Sequence, residues 1–309
     1  MKAAVLLATY NGSRYIEEQL NSLLAQTCSE FVCYIHDDGS SDRTLEICNR
    51  YATNYPEKFC LLNYPPTGSA SMNFLSLLAY VDAADYYLFC DQDDIWLPEK
   101  FEKTMETMRK SEQENPGIPI VVFTDQKIVD AELNVLSNSF LNYTNKNYGK
   151  LSLKTLLIEG FIPGCAMMIN SSLRSLMLKC DDFNMIYMHD WWAMEVALAC
   201  GGKTVFLNEP LMLYRQHDSN CIGVKKRTIV DKAYNQIKQF TGGELSVKKK
   251  MHIRHGRELA KELLRLNEVT DSNRKIVQEY VEIEKKNKLS RMAYYAKNYE
   301  HTLGLLLWV

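Results

Sequence analysis

The residues with the clearest chemical potential are three carboxylates within four positions, Asp91, Asp93 and Asp94. They follow the apolar run 87–90, which has the composition of a buried strand. Carboxylates this close repel one another, and a folded protein tolerates them best with a divalent cation between them. We therefore expect Mg2+ or Mn2+ here, with coordination positions free for the phosphate oxygens of a nucleoside diphosphate. Without the preceding strand, a solvated acidic turn would be the better interpretation.

The spacing of these acids also suggests which of them matters most. In an extended segment Asp91 and Asp93 point the same way and Asp94 points to the other side. We therefore expect metal and donor binding to depend on Asp93 more than on Asp94.

A second acidic turn, residues 37–42 (Asp-Asp-Gly-Ser-Ser-Asp), follows the apolar run 31–35. A carboxylate here can accept a hydrogen bond from an N–H of a base or from a ribose hydroxyl, and Gly39 permits a tight turn beside a ligand. Taken alone, the segment is better explained as a strand-to-helix turn with a Ser or Asp cap.

The elements that must position these acids alternate between apolar runs and amphipathic segments. Ala3–Ala8 is an uninterrupted apolar run, as expected of a strand buried on both faces, and Ile16, Leu20, Leu23 and Leu24 recur with the spacing of one helix face. We predict strands at 3–8, 31–35, 59–62 and 86–90, and helices near 16–24, from 42 and over 70–81. This order indicates an α/β fold with a mostly parallel sheet flanked by helices. Ligands of such sheets bind beyond the carboxyl ends of the strands, where both acidic turns fall.

The chain after residue 94 is less regular. Pro98 is expected to open a helix, and residues 124–160, which are polar, to form a loop or insertion with weak hairpins. We predict further strands at 120–123, 166–169 and 204–207, a helix at 191–199, and a turn at 208–210 that ends the last strand.

The net charge of −2 conceals an asymmetry along the 309 residues. Residues 1–224 carry 17 Lys and Arg against 28 Asp and Glu, or −11, whereas residues 225–309 carry 19 against 10, or +9. From about Thr228 the pattern is helical, so we predict an α/β domain at 1–224 and a basic helical extension at 225–309. Within the extension we expect Gly242-Gly243 to separate two helices and Asp271-Ser272 to cap a last helix from Asn273 to about Tyr299.

Two interpretations of the basic extension remain open. Its clusters of Lys and Arg can bind an anionic membrane surface, with apolar side chains adding insertion. Alternatively, its helices pack on the first domain or pair two chains as a homodimer. The clusters are 225–227, 248–250 and 285–288, the apolar positions are Leu259, Leu263, Leu266, Ile276 and Tyr280, and an apolar segment closes the chain at 303–309. The extension lacks a zinc finger, an RNP-type motif and interleaved aromatics, which argues against nucleic acid.

The cysteines and the apolar runs indicate the cellular compartment. The nine cysteines are odd in number and form no CxxC pair, so buried reduced thiols are expected rather than a zinc site or disulfides. No run of about 18 apolar residues occurs, and the start is too short for a signal core. We expect a cytoplasmic protein, and the membrane interpretation would place it on the inner face of the cell membrane.

Three motifs together resemble the family 2 glycosyltransferases of the GT-A fold. They are A-T-Y-N-G at 8–12, D-D-G-S-S-D at 37–42 and D-Q-D-D at 91–94, and the resemblance covers about residues 1–220. It implies that Thr9 and Asn11 lie near the nucleotide, that Asp38 with Asp37 beside it holds the base, and that Asp91 and Asp93 serve the ribose and the metal-bound diphosphate.

The resemblance extends to the run His189-Asp190-Trp191-Trp192. The family has an acid in place of His189, and the H-D-W-W form resembles its rhamnosyltransferase-like branch. An inverting transfer needs a carboxylate that takes the proton of the acceptor hydroxyl, so Asp190 is the expected base. A carboxylate that only stabilises the helix N-terminus is the alternative. Trp191 and Trp192 offer flat faces for sugar stacking, although core packing explains at least one of them equally well.

Two later segments complete the implied site. His217 is the expected imidazole ligand of the metal, and Arg215 the partner of the diphosphate. Gly164, within the Gly/Pro-rich run 160–165, is expected to shape the acceptor pocket. The alternative for His217 and Arg215 is an ordinary polar loop, and the alternative for Gly164 is an ordinary turn.

The resemblance implies a metal-dependent inverting transferase that uses Mg2+ or Mn2+. It would move a sugar from a nucleoside diphosphate to a hydroxyl of a cell-surface glycan or lipid-linked precursor. The H-D-W-W and D-Q-D-D runs favour dTDP-rhamnose as the donor, and a UDP-hexose or UDP-N-acetylhexosamine transferase is the alternative.

Two other classes fit less well. A nucleotidyltransferase would show a Gly-rich basic loop at the first turn, where residues 9–13 have one glycine and only Arg14 follows. A non-catalytic sugar-nucleotide binding subunit would not need Asp93, Asp190 and His217 together.

Overall fold

The chain folds into a curled sheet with helices on its faces. The computed structural model describes residues 2–82, 84–218 and 244–298. Its strands are β1 Ala3–Thr9, β2 Phe31–Asp37, β3 Phe59–Leu61, β4 Tyr86–Cys90, β5 Ile95–Trp96, β6 Ile120–Val129, β7 Val135–Ser137, β8 Met167–Asn170 and β9 Lys203–Arg215. Its helices are α1 Ile16–Leu24, α2 Thr44–Asn54, α3 Ala70–Tyr80, α4 Lys100–Glu114, α5 Phe140–Thr144, α6 Leu153–Leu156, α7 Ser171–Met177, α8 His189–Ala199, α9 Glu244–Arg265, α10 Asp271–Glu282 and α11 Lys288–Asn298.

The sheet runs in the order β3-β2-β1-β4-β8-β6-β9-β5, and β7 pairs with β6. Strands β1 to β4 are parallel, which confirms the α/β prediction. Strand β8 is antiparallel to both β4 and β6, so β6 and its parallel neighbour β9 point the same way as β4. The carboxyl ends of β1, β2, β4 and β9 therefore lie at one edge of the sheet.

The predicted end of the last strand at 208–210 is wrong, because β9 continues to Arg215. Its pairing with β6 shifts register instead, from Thr124 opposite Leu207 to Asp125 opposite Pro210. The shift absorbs the extra residues as an irregularity inside the strand, which suits a proline without an N–H. The longer strand carries Arg215 and the residues after it to the edge of the sheet. Strand β6 likewise extends into the predicted irregular region and forms a hairpin with β7.

The helical extension differs from its prediction at two points. Thr270, not Asp271-Ser272, caps α10, since its side chain accepts from the backbone N–H of Asn273. The single helix expected to about Tyr299 is instead α10 and α11, with one 3-10 turn, Ile283–Lys285, after α10. The expectations for 225–227, Gly242-Gly243 and 303–309 lie outside the described residues.

The described part of the extension packs on the α/β domain. Leu259, Leu263 and Tyr280 are buried in the same core as the sheet. The side chain of Asn273 donates to the carbonyl of Leu198 at 2.8 Å, and the N–H of Thr270 donates to that of Ala199 at 3.1 Å. These apolar faces therefore stabilise the fold rather than remaining available for insertion.

The eight described cysteines are unpaired thiols. Among the described helices, none has both the length and the apolar surface that spanning a membrane requires.

Candidate active site

The first turn of the site is held together by its own polar side chains. Asp37 Oδ2, at the end of β2, accepts from Thr9 Oγ1 at 2.9 Å and from Ser40 Oγ at 2.5 Å. Asn11 has a φ of 48°, donates its N–H to Ser40 Oγ at 2.8 Å, and accepts from the N–H of Ser41 at 2.8 Å. The residues expected near the nucleotide therefore form one rigid rim between β1 and β2.

Asp38 has a different set of partners in the structure. Its Oδ1 accepts from the N–H and the hydroxyl of Thr67, and its Oδ2 accepts from the N–H of Gly68 at 3.0 Å. The carboxylate thereby fixes the loop that leads from β3 into α3. The role of Asp38 in holding the nucleotide base stays a prediction.

Asp42, the last acid of this turn, is a structural anchor. Burial raises the pKa of its carboxyl, but hydrogen bonds from Thr44 and Ser13 outweigh it and lower the pKa to about 2. Thr44 Oγ1 also accepts from the N–H of Gly12 at 2.8 Å, which ties α2 to the first turn.

Gln92 joins the acidic segment to the first turn. Its side chain accepts from the N–H of Tyr10 and donates to the carbonyl of Tyr10, both at 2.9 Å. A Cβ on Gly12 would lie 2.2 Å from Gln92 Oε1, so this approach requires glycine. Sequence reasoning missed Gln92, whose only signal is its position between two acids.

The expected orientation of the three acids is wrong. Residues 91–94 bend rather than continue as a strand, and ligand atoms of Asp91, Asp94 and Cys165 lie within 4.8 Å of one another. Asp94 is buried, and its Oδ1 accepts from the N–H of Arg215 at 3.0 Å. Asp91 and Asp94 therefore meet, whereas the alternation of an extended strand would have separated them.

The two predicted metal ligands are in direct contact. Asp93 Oδ2 and His217 Nε2 lie 2.7 Å apart although they are 124 residues apart in the chain. The ring of Tyr15 stacks on His217 with centroids 4.6 Å apart, a partner that sequence reasoning also missed. A carboxylate beside an imidazole is a donor set that fits Mn2+, and fits less well the all-oxygen preference of Mg2+.

The charge balance around these residues also fits a bound cation. Burial, and then the neighbouring Asp93, raise the pKa of Asp91 to about 7, and the same causes raise that of Asp94 well above its ordinary value. Lys100, a buried cation near Asp94, has its pKa lowered by burial to about 8. A divalent ion held by Asp93 and His217 would relieve the repulsion among the acids.

The side chain of Arg215, predicted to contact the diphosphate, is buried and turned into the protein. Its Nε donates to the carbonyl of Asp93 at 2.8 Å, its Nη1 donates to that of Ala131 at 2.8 Å, and Nη2 pairs with Glu18. The guanidinium thereby joins the end of β9 to residues 91–94 through hydrogen bonds.

Asp190 lies in the first turn of α8 and faces the same edge. Its Oδ2 accepts from the N–H of Gly164 at 3.0 Å, and its Oδ1 from that of Trp191 at 2.6 Å. Burial outweighs these bonds and the nearby Lys146, and it raises the pKa of Asp190 to about 6. Asp190 in turn helps to raise the pKa of Asp91, so the two carboxylates share one electrostatic environment. The arrangement suits a base that is ionised at neutral pH.

The expected stacking of Trp191 and Trp192 on a sugar is contradicted by their burial, whereas the expected role of Gly164 in shaping the acceptor pocket stays a prediction. Trp191 is 2% and Trp192 0% exposed, and their indole N–H groups donate to the carbonyls of Leu156 and Met177. Gly164 is buried against His189, which itself lies between aromatic rings in the core. The two indole rings and His189 therefore pack in the core, while the backbone N–H groups of Gly164 and Trp191 hold the carboxylate of Asp190.

Replacing Gly164 by Ala is expected to cost about 1–3 kcal/mol of unfolding free energy, since the new Cβ would lie 2.2 Å from His189 Nε2. Urea denaturation measures the loss. The double variant Gly164→Ala/His189→Ala should recover part of it, whereas additive losses would contradict the contact.

Structural comparison places the fold among glycosyltransferases. Staphylococcus aureus TarS in complex with UDP-GlcNAc has a TM-score of 0.54 and 19% identity, covering 96% of this chain and 87% of that one. The mannosyltransferase PcManGT of Pyrobaculum calidifontis, in complex with GDP-Man and Mn2+, has a TM-score of 0.56 and 12% identity, covering 96% and 75%. These likenesses concern the fold and confirm the GT-A prediction.

Sequence comparison identifies the family. The model of Glycosyl transferase family 2 matches residues 4–177, more than half of the chain, and the protein belongs to that family and is a glycosyltransferase. The dTDP-rhamnosyl transferase RfbG of Shigella flexneri is 29% identical over 231 residues, covering 70% of this chain and 73% of that protein. An uncharacterized glycosyltransferase of Rickettsia typhi is 24% identical, covering 77% and 68%. The resemblance to the family and to its rhamnosyltransferase-like members is confirmed.

Proposed function

We propose that this glycosyltransferase moves a sugar, with inversion, from a nucleoside diphosphate to a hydroxyl of a cell-surface glycan or lipid-linked precursor. The observation that carries the proposal is that Asp190 and Asp93 both act electrostatically on Asp91, at the end of β4, and that Asp93 contacts His217. A base and a cation-binding pair are the two groups that such a displacement needs.

The donor we favour is dTDP-rhamnose. Support comes from the identity with RfbG and from the H-D-W-W and D-Q-D-D runs. A UDP-hexose or UDP-N-acetylhexosamine donor is the alternative, since UDP-GlcNAc is the ligand of TarS.

In the proposed mechanism Asp190 accepts the proton of the acceptor hydroxyl while that oxygen forms the new bond to the sugar. The sugar–phosphate bond breaks on the opposite side, and the nucleoside diphosphate leaves. Asp93 and His217 would hold the divalent ion, which supplies positive charge for the leaving diphosphate.

The other residues at this edge of the sheet would bind the nucleotide or position the side chains that act in the reaction. Thr9, Asn11 and Asp37 form the rim beside the nucleotide, and Asp38 and Asp91 complete that side. Arg215, in this proposal, orients Asp93 through its bond to the Asp93 carbonyl.

Hydrolysis of sugar nucleotides, with and without Mn2+, tests the function. We expect Mn2+-dependent release of the nucleoside diphosphate, fastest with dTDP-rhamnose among donors that include UDP-glucose, UDP-GlcNAc and GDP-mannose. A preference for a UDP-sugar would reassign the donor. Binding of a sugar nucleotide without any turnover would instead favour a binding subunit.

The rate of transfer should fall as the pH drops through about 6, two units above the ordinary range of an aspartate. The base must be ionised, and burial holds the pKa of Asp190 high, so protonation already removes activity in mildly acidic solution. The dependence of kcat on pH, recorded at saturating donor, measures the pH at which the rate falls. An acid limb near pH 4 would contradict the assignment of Asp190.

The exposed lysines of the extension are proposed to attach the protein to the inner membrane surface. Lys285, Lys286 and Lys288 are exposed, and each basic residue gains about 1 kcal/mol beside an anionic leaflet. Co-sedimentation with anionic liposomes should be strong at low salt and fall steeply at high salt. Changing the three lysines to Gln should weaken binding, while Lys110→Gln on α4 should not. No binding at low salt would remove the membrane role and favour a homodimer.

A further inference from the structure

We propose that Tyr187 and His255 form a stacking platform for a sugar ring of the acceptor, beside the base Asp190. The inference rests on the proposed function, because it names the acceptor-binding surface of the same reaction. The buried Trp191 and Trp192 leave that surface unassigned.

The segment before α8 presents apolar side chains alternately inward and outward. Ile186 is buried, and its carbonyl accepts from Ser71 Oγ at 3.2 Å. Its neighbours Met185 and Tyr187 are 37% and 39% exposed. Large apolar side chains exposed together beside a catalytic group are typical of a binding surface.

The ring of Tyr187 is held in a fixed orientation by the extension. It stacks on the ring of His255, from α9, with centroids 3.9 Å apart and planes 11° from parallel. Burial, and then the neighbouring Arg254, lower the pKa of His255, which favours the neutral form of its ring. A rigid aromatic face with a polar hydroxyl at its tip suits a ligand that has an apolar C–H face and polar edges, as a sugar ring does.

The position of the pair fits the acceptor side of the reaction. Tyr187 is three residues before Asp190, which limits the separation of their Cα atoms to about 11 Å. The bond from Ser71 joins the same segment to α3, which begins directly after the loop anchored by Asp38. The platform is therefore close in the chain to the base and tied to the helix that follows the expected nucleotide loop, which places it on the proposed acceptor side.

Binding of simple glycosides tests this platform. We would record saturation-transfer difference spectra of the full chain with UDP or dTDP, Mn2+ and a panel of methyl hexosides that includes methyl rhamnoside. We expect at least one glycoside to give a signal that Tyr187→Ala reduces by tenfold or more and that Tyr187→Phe keeps. The control Tyr55→Ala, which removes a 45% exposed tyrosine at the C-terminal end of α2, should leave the signal unchanged.

Donor hydrolysis separates this inference from the proposed function. Tyr187→Ala should retain Mn2+-dependent hydrolysis within about twofold of the wild type, because hydrolysis uses water in place of an acceptor sugar and the ring of Tyr187 stacks on His255. Loss of hydrolysis in this variant, an unchanged glycoside signal, or no signal from any glycoside would overturn the platform. Absence of hydrolysis in the wild-type protein would instead reject the proposed function.

Discussion

Replacing Asp190 by Asn is expected to lower the rate of sugar transfer by about 10²–10⁴-fold while donor affinity changes little. The Asn side chain keeps an oxygen that can accept from the N–H of Gly164, so the loop before β8 should hold its place. It cannot take a proton from the acceptor hydroxyl. Because a base acts in the transition state, the loss should fall on kcat rather than on the binding of the donor.

Single-turnover transfer at saturating donor, together with calorimetric titration of the nucleoside diphosphate, measures the two effects separately. Asp181→Asn serves as the control, since that carboxylate is exposed and lies nine residues before the base. If donor affinity collapses and the saturated rate survives, Asp190 is a binding residue. His189 cannot replace it as the base, because it is buried and burial lowers its pKa to about 3.

Replacing Asp93 by Asn should abolish divalent-dependent turnover, the second large effect that we expect. The change removes the charge from one of the two side chains proposed to hold the ion, and His217 alone is a weak site. The variant His217→Ala should lose metal dependence in the same way. The double variant should be no worse than either single one, because both act on one bound ion.

Asp94→Asn is the matched control for the Asp93 variant. It removes a neighbouring carboxylate but keeps an oxygen for the N–H of Arg215. We expect it to retain most of its Mn2+-dependent activity. Activity is measured against Mn2+ concentration, with chelator in excess as the zero point. Full activity of Asp93→Asn in excess chelator would reject the metal assignment.

Much of the fold and part of the site could be predicted from the local pattern of the chain. Apolar runs such as Ala3–Ala8 alternate with helical spacings, and this order alone requires a parallel sheet with ligands at its carboxyl edge. Carboxylates at the ends of β2 and β4 were therefore brought to one edge as expected. The pairing of Asp93 with His217 required the family resemblance, because no periodicity relates residues 124 positions apart.

Only the tertiary structure decided which polar and aromatic side chains are buried and which groups they contact. Trp191 and Trp192 have the flat apolar faces of a sugar platform, but packing of α8 against α6, at Leu156, and against α7 buries both rings. Arg215 has the chemistry of a phosphate ligand, but the extra length of β9 brings its guanidinium to the acidic segment, where backbone carbonyls accept its hydrogen bonds. A sequence determines its elements through short-range spacing and backbone sterics, so those can be predicted residue by residue. Burial and hydrogen-bond partners depend on which distant segments pack together, and that information exists only once the chain has folded.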